Sequence, residues 1–122
     1  MKDIKRLELR VDKKWRNYLT DTKFNRYPDI SGPETKYVFG VCYRYDFQNG
    51  FGASVVKHPG SYGYEENLWE IGLLKKEPNG KLYFCDDYPI TEYGVIGHCT
   101  DERIGKLLEL IFQGLVDEEA KC

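Results

Sequence analysis

The segment from residue 37 to residue 57 constrains the fold most, because two alternating apolar runs flank a single short turn. The first run is Tyr37–Phe47, the second is Phe51–Lys57, and Gln48-Asn49-Gly50 separates them. Alternation with a period of two on both sides of an Asn-Gly pair is typical of a β-hairpin. We therefore predict two antiparallel strands joined by this turn.

The register of this hairpin follows from which residues share a face. A two-residue Asn-Gly turn would place Tyr45 opposite Ser54 and would mix polar with apolar side chains on both faces. A three-residue loop with a left-handed Gly50 keeps the two kinds of side chain apart. It leaves Asp46, Arg44, Gly52 and Ser54 on one face, and on the other it pairs Phe47 with Phe51, Tyr45 with Ala53 and Tyr43 with Val55. We predict the three-residue loop.

A second hairpin and a helix follow. Leu68–Leu74 alternates, Pro78-Asn79-Gly80 turns the chain, and Lys81–Cys85 returns. Residues 86–97 carry turn chemistry, and we expect a loop there with a short extended piece around Ile90. Thr100 is a helix N-cap with acidic residues in the first turn after it. An apolar stripe at helical spacing then comprises Ile104, Leu107, Leu108, Ile111, Phe112 and Leu115.

These elements predict an α+β fold, in which an antiparallel β-sheet of four or five strands, built from two hairpins, packs on one C-terminal amphipathic helix. At 122 residues the chain has the size of a single domain. We divide it into a basic N-terminal head and loop (1–36), the two hairpins (37–85) and the helix (100–116). In the head we expect a strand near residues 5–11, although a helical face through Leu7, Val11, Trp15 and Tyr18 is also possible. Residues 20–35 read as a long loop.

The composition is that of a soluble globular protein, with 41% hydrophobic and 31% charged residues. Since the apolar runs are too short to span a membrane and no secretory signal follows Met1, we expect a cytoplasmic protein, in the host cell cytoplasm if a phage encodes it. The four cysteines lie at positions 42, 85, 99 and 122 without a Cys-x-x-Cys pair, so we expect reduced thiols and no zinc site.

No run of residues carries a specific catalytic or cofactor signature. The segment from Gly60 to Gly63 lacks both the P-loop ending and the dinucleotide-binding spacing. The two histidines, at positions 58 and 98, match no zinc motif, and Cys99 and His98 are neighbours whose side chains point apart in extended chain. The acidic pairs at residues 65–66 and 86–87 are typical of solvated carboxylates. We predict a protein that is not an enzyme and has no catalytic residue, cofactor or metal.

Two long loops combine tyrosine with acidic residues. Tyr is a residue that supplies large amphipathic area at protein interfaces, and an acidic surface favours a basic protein partner. We predict a partner-binding surface made of Tyr62, Tyr64, Glu65, Glu66, Tyr88 and Tyr93. The alternative is that the rings fold back over the edge of the sheet, since Tyr is intermediate in its preference for burial.

The chain through residue 36 holds ten Lys and Arg against six Asp and Glu. This basic head offers an alternative function, binding of nucleic acid or nucleotide, with Trp15 and Tyr18 available for stacking. The residues for it would be Lys5, Arg6, Arg10, Lys13, Lys14 and Arg16. The net charge of the whole chain, −2, makes nucleic acid the less favoured partner.

Several short motifs occur in a fixed order between residues 51 and 115. They are Gly60-Ser-Tyr-Gly-Tyr-Glu65, Leu68-Trp-Glu-Ile-Gly-Leu73, Asp87-Tyr-Pro-Ile-Thr91 and Val95-Ile-Gly97. This order resembles small uncharacterised proteins encoded by bacteriophages and prophages, although Tyr88 and Tyr93-Gly94 depart from it and the head lies outside it. The resemblance implies a phage setting, in which small acidic proteins often bind a host or defence protein. Because the chain also lacks catalytic motifs and carries aromatic, acidic loops, we predict a binding protein, and inhibition of a defence system such as a CRISPR nuclease is one specific form of this hypothesis. Independently, a Phe- and Tyr-rich strand at the sheet edge would allow a homodimer.

Overall fold

The computed structural model describes residues 7–30, 32–91 and 94–117 of the chain. Within them an antiparallel sheet packs against one α-helix, α1 (Asp101–Phe112), which confirms the predicted α+β fold. The strands are β1 (Leu19–Asp29), β2 (Lys36–Asp46), β3 (Phe51–Lys57), β4 (Trp69–Lys76), β5 (Leu82–Phe84) and β6 (Val95–Cys99). Their order is β1-β2-β3-β4-β5, and β6 also pairs with β4. Short 3-10 helices lie at Lys13–Tyr18 and Tyr64–Glu66. The described helix is not long and apolar enough to cross a membrane.

The first hairpin has the predicted register. Tyr45 lies opposite Ala53 and Tyr43 opposite Val55. The Phe47 N–H donates to the Phe51 carbonyl at 3.1 Å, which closes a three-residue loop. Gly50 has a φ of 94°, the left-handed conformation that such a loop requires. The second hairpin is confirmed as well, since β4 pairs with β5.

The hydrophobic core lies between one face of the sheet and α1. The sheet contributes Val41, Tyr45, Ala53, Val55, Trp69, Ile71 and Leu73, and the helix contributes Ile104, Leu107, Leu108 and Ile111. The Thr100 hydroxyl accepts the Arg103 N–H at 3.1 Å, as predicted for an N-cap. The helix ends at Phe112, before the predicted residue 116, because Gly114 takes a left-handed conformation with φ 76°. Leu115 is therefore outside the helix and exposed.

The prediction for the N-terminal part was wrong in two places. Residues 20–29 belong to β1 and not to a loop. Residues 7–12 form no strand, and the Tyr43 hydroxyl accepts the Leu9 N–H and donates to the Leu7 carbonyl where a strand would have placed backbone partners. Residues 5 and 6 lie outside the described residues. Leu7, Leu9 and Val11 pack on the core, next to the buried Trp15.

The segment before α1 also differs from the prediction. Ile90 is not extended but lies buried in a turn, where its N–H donates to the Val116 carbonyl. The extended piece is β6, which begins at Val95 and pairs with β4. The register of β6 shifts between its pairs, and His98 has a φ of 55°. This irregularity interrupts the alternation by which a strand is recognised in a sequence.

Candidate protein-contact surface

Two strands extend beyond the rest of the sheet. β3 pairs with β2 only from Val41 to Asp46, whereas β1 pairs with β2 as far as Lys36. Residues 36–40 of β2 therefore pair with β1 alone. We call residues 24–30 and 36–40 the ribbon. Phe24 lies level with Lys57, the last residue of β3, and the rest of the ribbon continues the sheet past it.

One face of the ribbon carries three exposed aromatic rings. Phe24 lies opposite Val41, Arg26 opposite Phe39, and Pro28 opposite Tyr37. Because residues directly opposite each other share a face, these residues continue the face on which the core lies. There the rings are uncovered: the exposed fractions of Phe24, Tyr37 and Phe39 are 58%, 60% and 59%. We call these three residues the aromatic face.

A cation lies among these rings. The Arg26 guanidinium carbon lies 5.1 Å from the centroid of the Tyr37 ring, within the range of a cation–π contact. Ile30, which follows β1, is also exposed. The aromatic face therefore combines large apolar area with one positive charge at its centre.

The opposite face of the ribbon is attached to the loop that follows β3. The Tyr27 ring stacks on the His58 imidazole with centroids 4.6 Å apart and planes inclined by 13°. A Cβ atom at Gly40 would lie 2.7 Å from a Tyr27 ring atom and 2.5 Å from the His58 Cβ. Only a glycine lets these rings come this close to the backbone of β2. This contact fixes the direction in which the ribbon extends.

The tyrosine-rich loop between β3 and β4 is held in place by internal bonds. The Ser61 hydroxyl donates to the His58 carbonyl at 2.8 Å and accepts the His58 N–H at 3.1 Å. The buried Lys57 ammonium donates to the Asn67 side-chain oxygen at 3.0 Å and lies 4.2 Å from the centroid of the Trp69 ring. Asn67, with a φ of 61°, ends the second 3-10 helix.

The structure does not gather the predicted tyrosine surface into one place. Tyr62 is 62% exposed, and its N–H donates to Glu70 near the start of β4. Tyr88 is half-buried with its ring against Phe51, and Lys75 near the end of β4 lies over it. The side-chain hydrogen bond with Tyr88 raises the pKa of Lys75. Tyr62 and Tyr88 are thus held near opposite ends of the same strand.

The remaining residues of that predicted surface differ in their exposure. Tyr64 is only 5% exposed, so the expectation that its ring is available was wrong. Burial, followed by the charges of Asp29 and Glu65, raises the pKa of the Tyr64 phenol. Glu65 and Glu66 are exposed, and Glu66 lies 4.0 Å from the His98 imidazole. Tyr93 lies outside the described residues.

The basic head lies along α1, from Asp101 in its first turn to Glu109 in its last. Arg10, Lys13, Lys14 and Arg16 are all exposed, while Lys5 and Arg6 fall outside the described residues. The Lys14 ammonium donates to Glu109, and hydrogen bonds from Lys14 and then Gln113 lower the pKa of Glu109. A cleft of about 550 Å³ between head and helix is lined by charges of both signs, Arg10, Asp12, Lys14, Asp101, Glu102, Lys106 and Glu109.

The two predicted stacking residues of the head pack on the core, Trp15 fully buried and Tyr18 half-buried. Trp15 is buried, and Tyr18 packs with it against Phe47 and Phe112 in an aromatic cluster of the core. The expectation that these rings could stack on bases was therefore wrong. The head presents cations beside carboxylates and no free ring at Trp15, an arrangement unlike the positively charged stacking grooves of single-strand binders.

The groups considered for metal or nucleophilic chemistry have separate partners. Within residues 7–30, 32–91 and 94–117, no three His, Cys, Asp or Glu residues are arranged to hold a metal ion. The Cys99 thiol lies 3.5 Å from the Gly97 carbonyl oxygen, and the His58 ring nitrogen Nδ1 lies 2.9 Å from the Pro59 carbonyl. Ser61 exchanges its hydrogen bonds with the backbone of His58 and not with the imidazole.

No protein-family model, no curated protein and no solved structure matches the chain. The candidate surface therefore depends on the geometry alone. The sequence contained one signal for the ribbon, the unequal lengths of the strands in the first hairpin. β2 has 11 residues and β3 has 7, so the excess of β2 needs another strand to pair with.

Proposed function

We propose that this protein is a non-enzymatic binding protein that contacts a partner protein through the aromatic face of the ribbon. The observation that carries the proposal is the exposure of three large rings, Phe24, Tyr37 and Phe39, side by side on a hydrogen-bonded ribbon. Exposed aromatic groups of this size are uncommon on soluble monomers and are enriched at protein interfaces. Because the backbone pairing and the Tyr27–His58 stack order the strands that carry the rings, little backbone entropy is lost when they bind.

The charges around the ribbon describe the surface that it would meet. Arg26 lies at the centre of the aromatic face, whereas Lys36 lies opposite Asp29 on the other face of the ribbon. An apolar partner surface with a carboxylate opposite Arg26 would complement it. This differs from the basic partner expected for the acidic tyrosine loops, so in our proposal Tyr62, Glu65 and Glu66 are peripheral.

The resemblance to phage and prophage proteins supports a particular class of partner. In that setting we propose that the protein acts in the cytoplasm of the host cell and inhibits a host or defence protein, for which a CRISPR nuclease is one specific possibility. Inhibition would follow if the ribbon covers a surface that the partner needs for its own substrate or subunit.

The proposal is tested with the tagged chain as bait in host lysate, followed by reconstitution with the purified partner. The double variant Tyr37→Ser/Phe39→Ser removes two rings of the aromatic face. The matched control Tyr62→Ser/Tyr83→Ser removes two exposed rings elsewhere. We expect the first variant to weaken binding about 100-fold or more and the control to change it by less than about threefold, as for residues inside and outside a hot spot.

Loss of binding in the control pair with retention in the ribbon pair would move the site away from the ribbon, and the single variants Tyr62→Ser and Tyr83→Ser would then show whether it lies on the tyrosine-rich loop or on β5. Equal retention in both variants would reject protein contact through either surface. A partner whose activity is unchanged at saturating amounts of this protein would reject inhibition while leaving binding intact. These three outcomes are distinguishable from one another.

Nucleic-acid binding by the basic head is the second candidate, favoured by the exposure of Arg10, Lys13, Lys14 and Arg16. It predicts retention of oligonucleotides that falls steeply with salt and is lost when these four residues become alanine. The adjacent carboxylates of α1 argue against it, because Glu109 already pairs with Lys14. Retention that is independent of these residues would reject it.

A further inference from the structure

Among the described residues, no strand pairs with the outer edge of β1. β1 is at one end of the strand order, and within the described part of the chain it pairs with β2 and no other strand. Seven of its 11 residues are exposed. An edge of this length presents a row of backbone donors and acceptors that another strand can pair with.

The register shows which groups face outward. The bond from the Phe47 N–H to the Phe51 carbonyl means that odd-numbered residues of β2 bond toward β3, so its even-numbered residues bond toward β1. Their partners in β1 are the odd-numbered residues from Asp21 to Asp29. The N–H and C=O groups of Thr22, Phe24 and Arg26 therefore point to the open edge. Pro28 belongs to the same outward set, where its missing N–H removes no bond to β2.

We propose that a second copy of this chain pairs antiparallel with this edge, so that Phe24 of one copy lies opposite Phe24 of the other. A two-fold axis through Phe24 matches the outward groups of Thr22 with those of Arg26 in the second copy. It also joins Val41, Phe24 and their counterparts into one apolar row across the two copies, because Phe24 lies opposite Val41 within each chain. The exposed Phe24 ring would be covered by its own symmetry mate.

Charge selects this register over its neighbours. With Phe24 opposite Phe24, Asp21 lies opposite Tyr27 and Lys23 opposite Asn25, so no like charges meet. The nearest registers that keep the outward groups aligned move one strand by two residues relative to the other. A shift in one direction places Lys23 opposite Lys23, and a shift in the other places Asp21 opposite Asp29. Like charges directly opposite each other destabilise a strand pair.

This dimer does not rest on the proposed function. The dimer would cover the Phe24 ring of the aromatic face, whereas Tyr37 and Phe39 lie on β2, away from the new strand pair, and remain available to another protein. The dimer would present the two rings twice on one continuous face. A monomeric protein that still captures a partner would overturn the dimer and leave the proposed function standing.

The first test is the mass of the full chain in solution over a range of concentrations, measured by light scattering or sedimentation. We expect the unmodified protein to give twice the monomer mass. Phe24→Lys places two ammonium groups at the axis, and Arg26→Pro removes an N–H from the open edge without touching the bonds to β2. Each variant should raise the dimer dissociation constant about tenfold or more. Tyr83→Lys, an exposed aromatic residue on β5, should not.

The second test fixes the register by cross-linking. Lys23 and Asn25 would form non-hydrogen-bonded pairs across the axis, with Cα atoms about 4.5 Å apart, which suits a disulfide. Oxidation of the double variant Lys23→Cys/Asn25→Cys should give a covalent dimer, whereas each single variant should stay uncross-linked. A monomer mass at all concentrations overturns the proposal. So does a dimer that forms no cross-link and is unaffected by Phe24→Lys and Arg26→Pro.

Discussion

The indole N–H of Trp69 donates to the Asp101 carboxylate at 2.7 Å, and this bond joins the sheet to the helix. Trp69 is the first residue of β4 and is fully buried, while Asp101 is the first residue of α1. The second carboxylate oxygen accepts the Arg10 N–H at 3.2 Å. One side chain thus ties together a strand, the helix and the N-terminal segment that covers the core.

We expect Asp101→Ala to lower the free energy of unfolding by about 2 to 3 kcal/mol, because it leaves a buried indole N–H without this charged acceptor. Glu102→Ala is the matched control. It removes the same charge from the first turn of the helix, but its side chain is exposed and its ion pair with Lys106 is solvated. Its effect should stay below about 1 kcal/mol. Urea unfolding followed by tryptophan fluorescence measures both, and equal effects would show that the bond to Trp69 contributes nothing.

Asn67 and Gln48 form a second matched pair, because both have a φ of 61°. Glycine relieves left-handed strain at either position, yet only the Asn67 side chain accepts from the buried Lys57 ammonium. We expect Gln48→Gly to change the free energy of unfolding by less than about 1 kcal/mol in either direction. Asn67→Gly should be less stable than Gln48→Gly by about 1.5 to 3 kcal/mol, the contribution of a hydrogen bond to a charged group. Identical values would mean that the Lys57 bond does not stabilise the loop.

Asp46 on β2 makes stability depend on pH in the acid range. Burial alone would raise its pKa, but the Lys76 ammonium at 2.9 Å and the Gln48 N–H together hold the pKa of Asp46 below its usual value. A carboxyl whose pKa is lowered by folding stabilises the fold at pH values above its pKa in the unfolded chain, about 3.9. This contribution is lost as the pH falls through the pKa of the folded state.

We therefore expect Asp46→Asn to be less stable than the unmodified protein at pH 7 and to show a flatter loss of stability below about pH 4. Lys76→Met should give a similar loss at pH 7, and adding Asp46→Asn to it should cost little more, since the pair is already broken. Urea midpoints measured at several pH values test this. Parallel pH curves for the unmodified protein and Asp46→Asn would contradict it.

Sequence patterns predicted the elements whose apolar spacing is regular. The hairpin register followed from keeping polar and apolar residues on separate faces, and the helix followed from its stripe and its Thr100 cap. β1 was missed because most of its side chains are exposed, so no alternation of buried and exposed positions marks it. Its stability comes from pairing with β2, a long-range interaction that a local pattern does not record.

The binding surface was harder to predict for a related reason. Tyr62 and Tyr64 occur two residues apart on one loop, yet one ring is exposed and the other is buried. What separates them is the turn that begins at Gly63, whose φ is 100°, and no count of residue types reveals its direction. Conversely, Phe24 and Phe39 are 15 positions apart in the chain and share a face only through the register of β1 and β2.

Gly40 controls how the ribbon is attached, so a methyl group there tests both stability and binding. In Gly40→Ala the new Cβ would meet a Tyr27 ring atom, the His58 Cβ and, at 2.9 Å, the Lys57 carbonyl oxygen. Because the Lys57 oxygen is a backbone atom, the clash is relieved only if the end of β3 moves away from Gly40. We expect this movement to carry His58 with it and to separate the Tyr27–His58 stack. We expect a loss of about 1 to 3 kcal/mol in the free energy of unfolding, the usual cost of overpacking.

Gly32→Ala is the control, since nothing lies within 4 Å of its added Cβ and its φ is not positive. It should leave stability within about 1 kcal/mol of the unmodified protein or raise it. Gly40→Ala should also weaken capture of the partner although all three rings of the aromatic face are still present, because the ribbon that carries them is no longer held against His58. Full binding by a destabilised Gly40→Ala protein would show that the partner does not require the ribbon in this orientation.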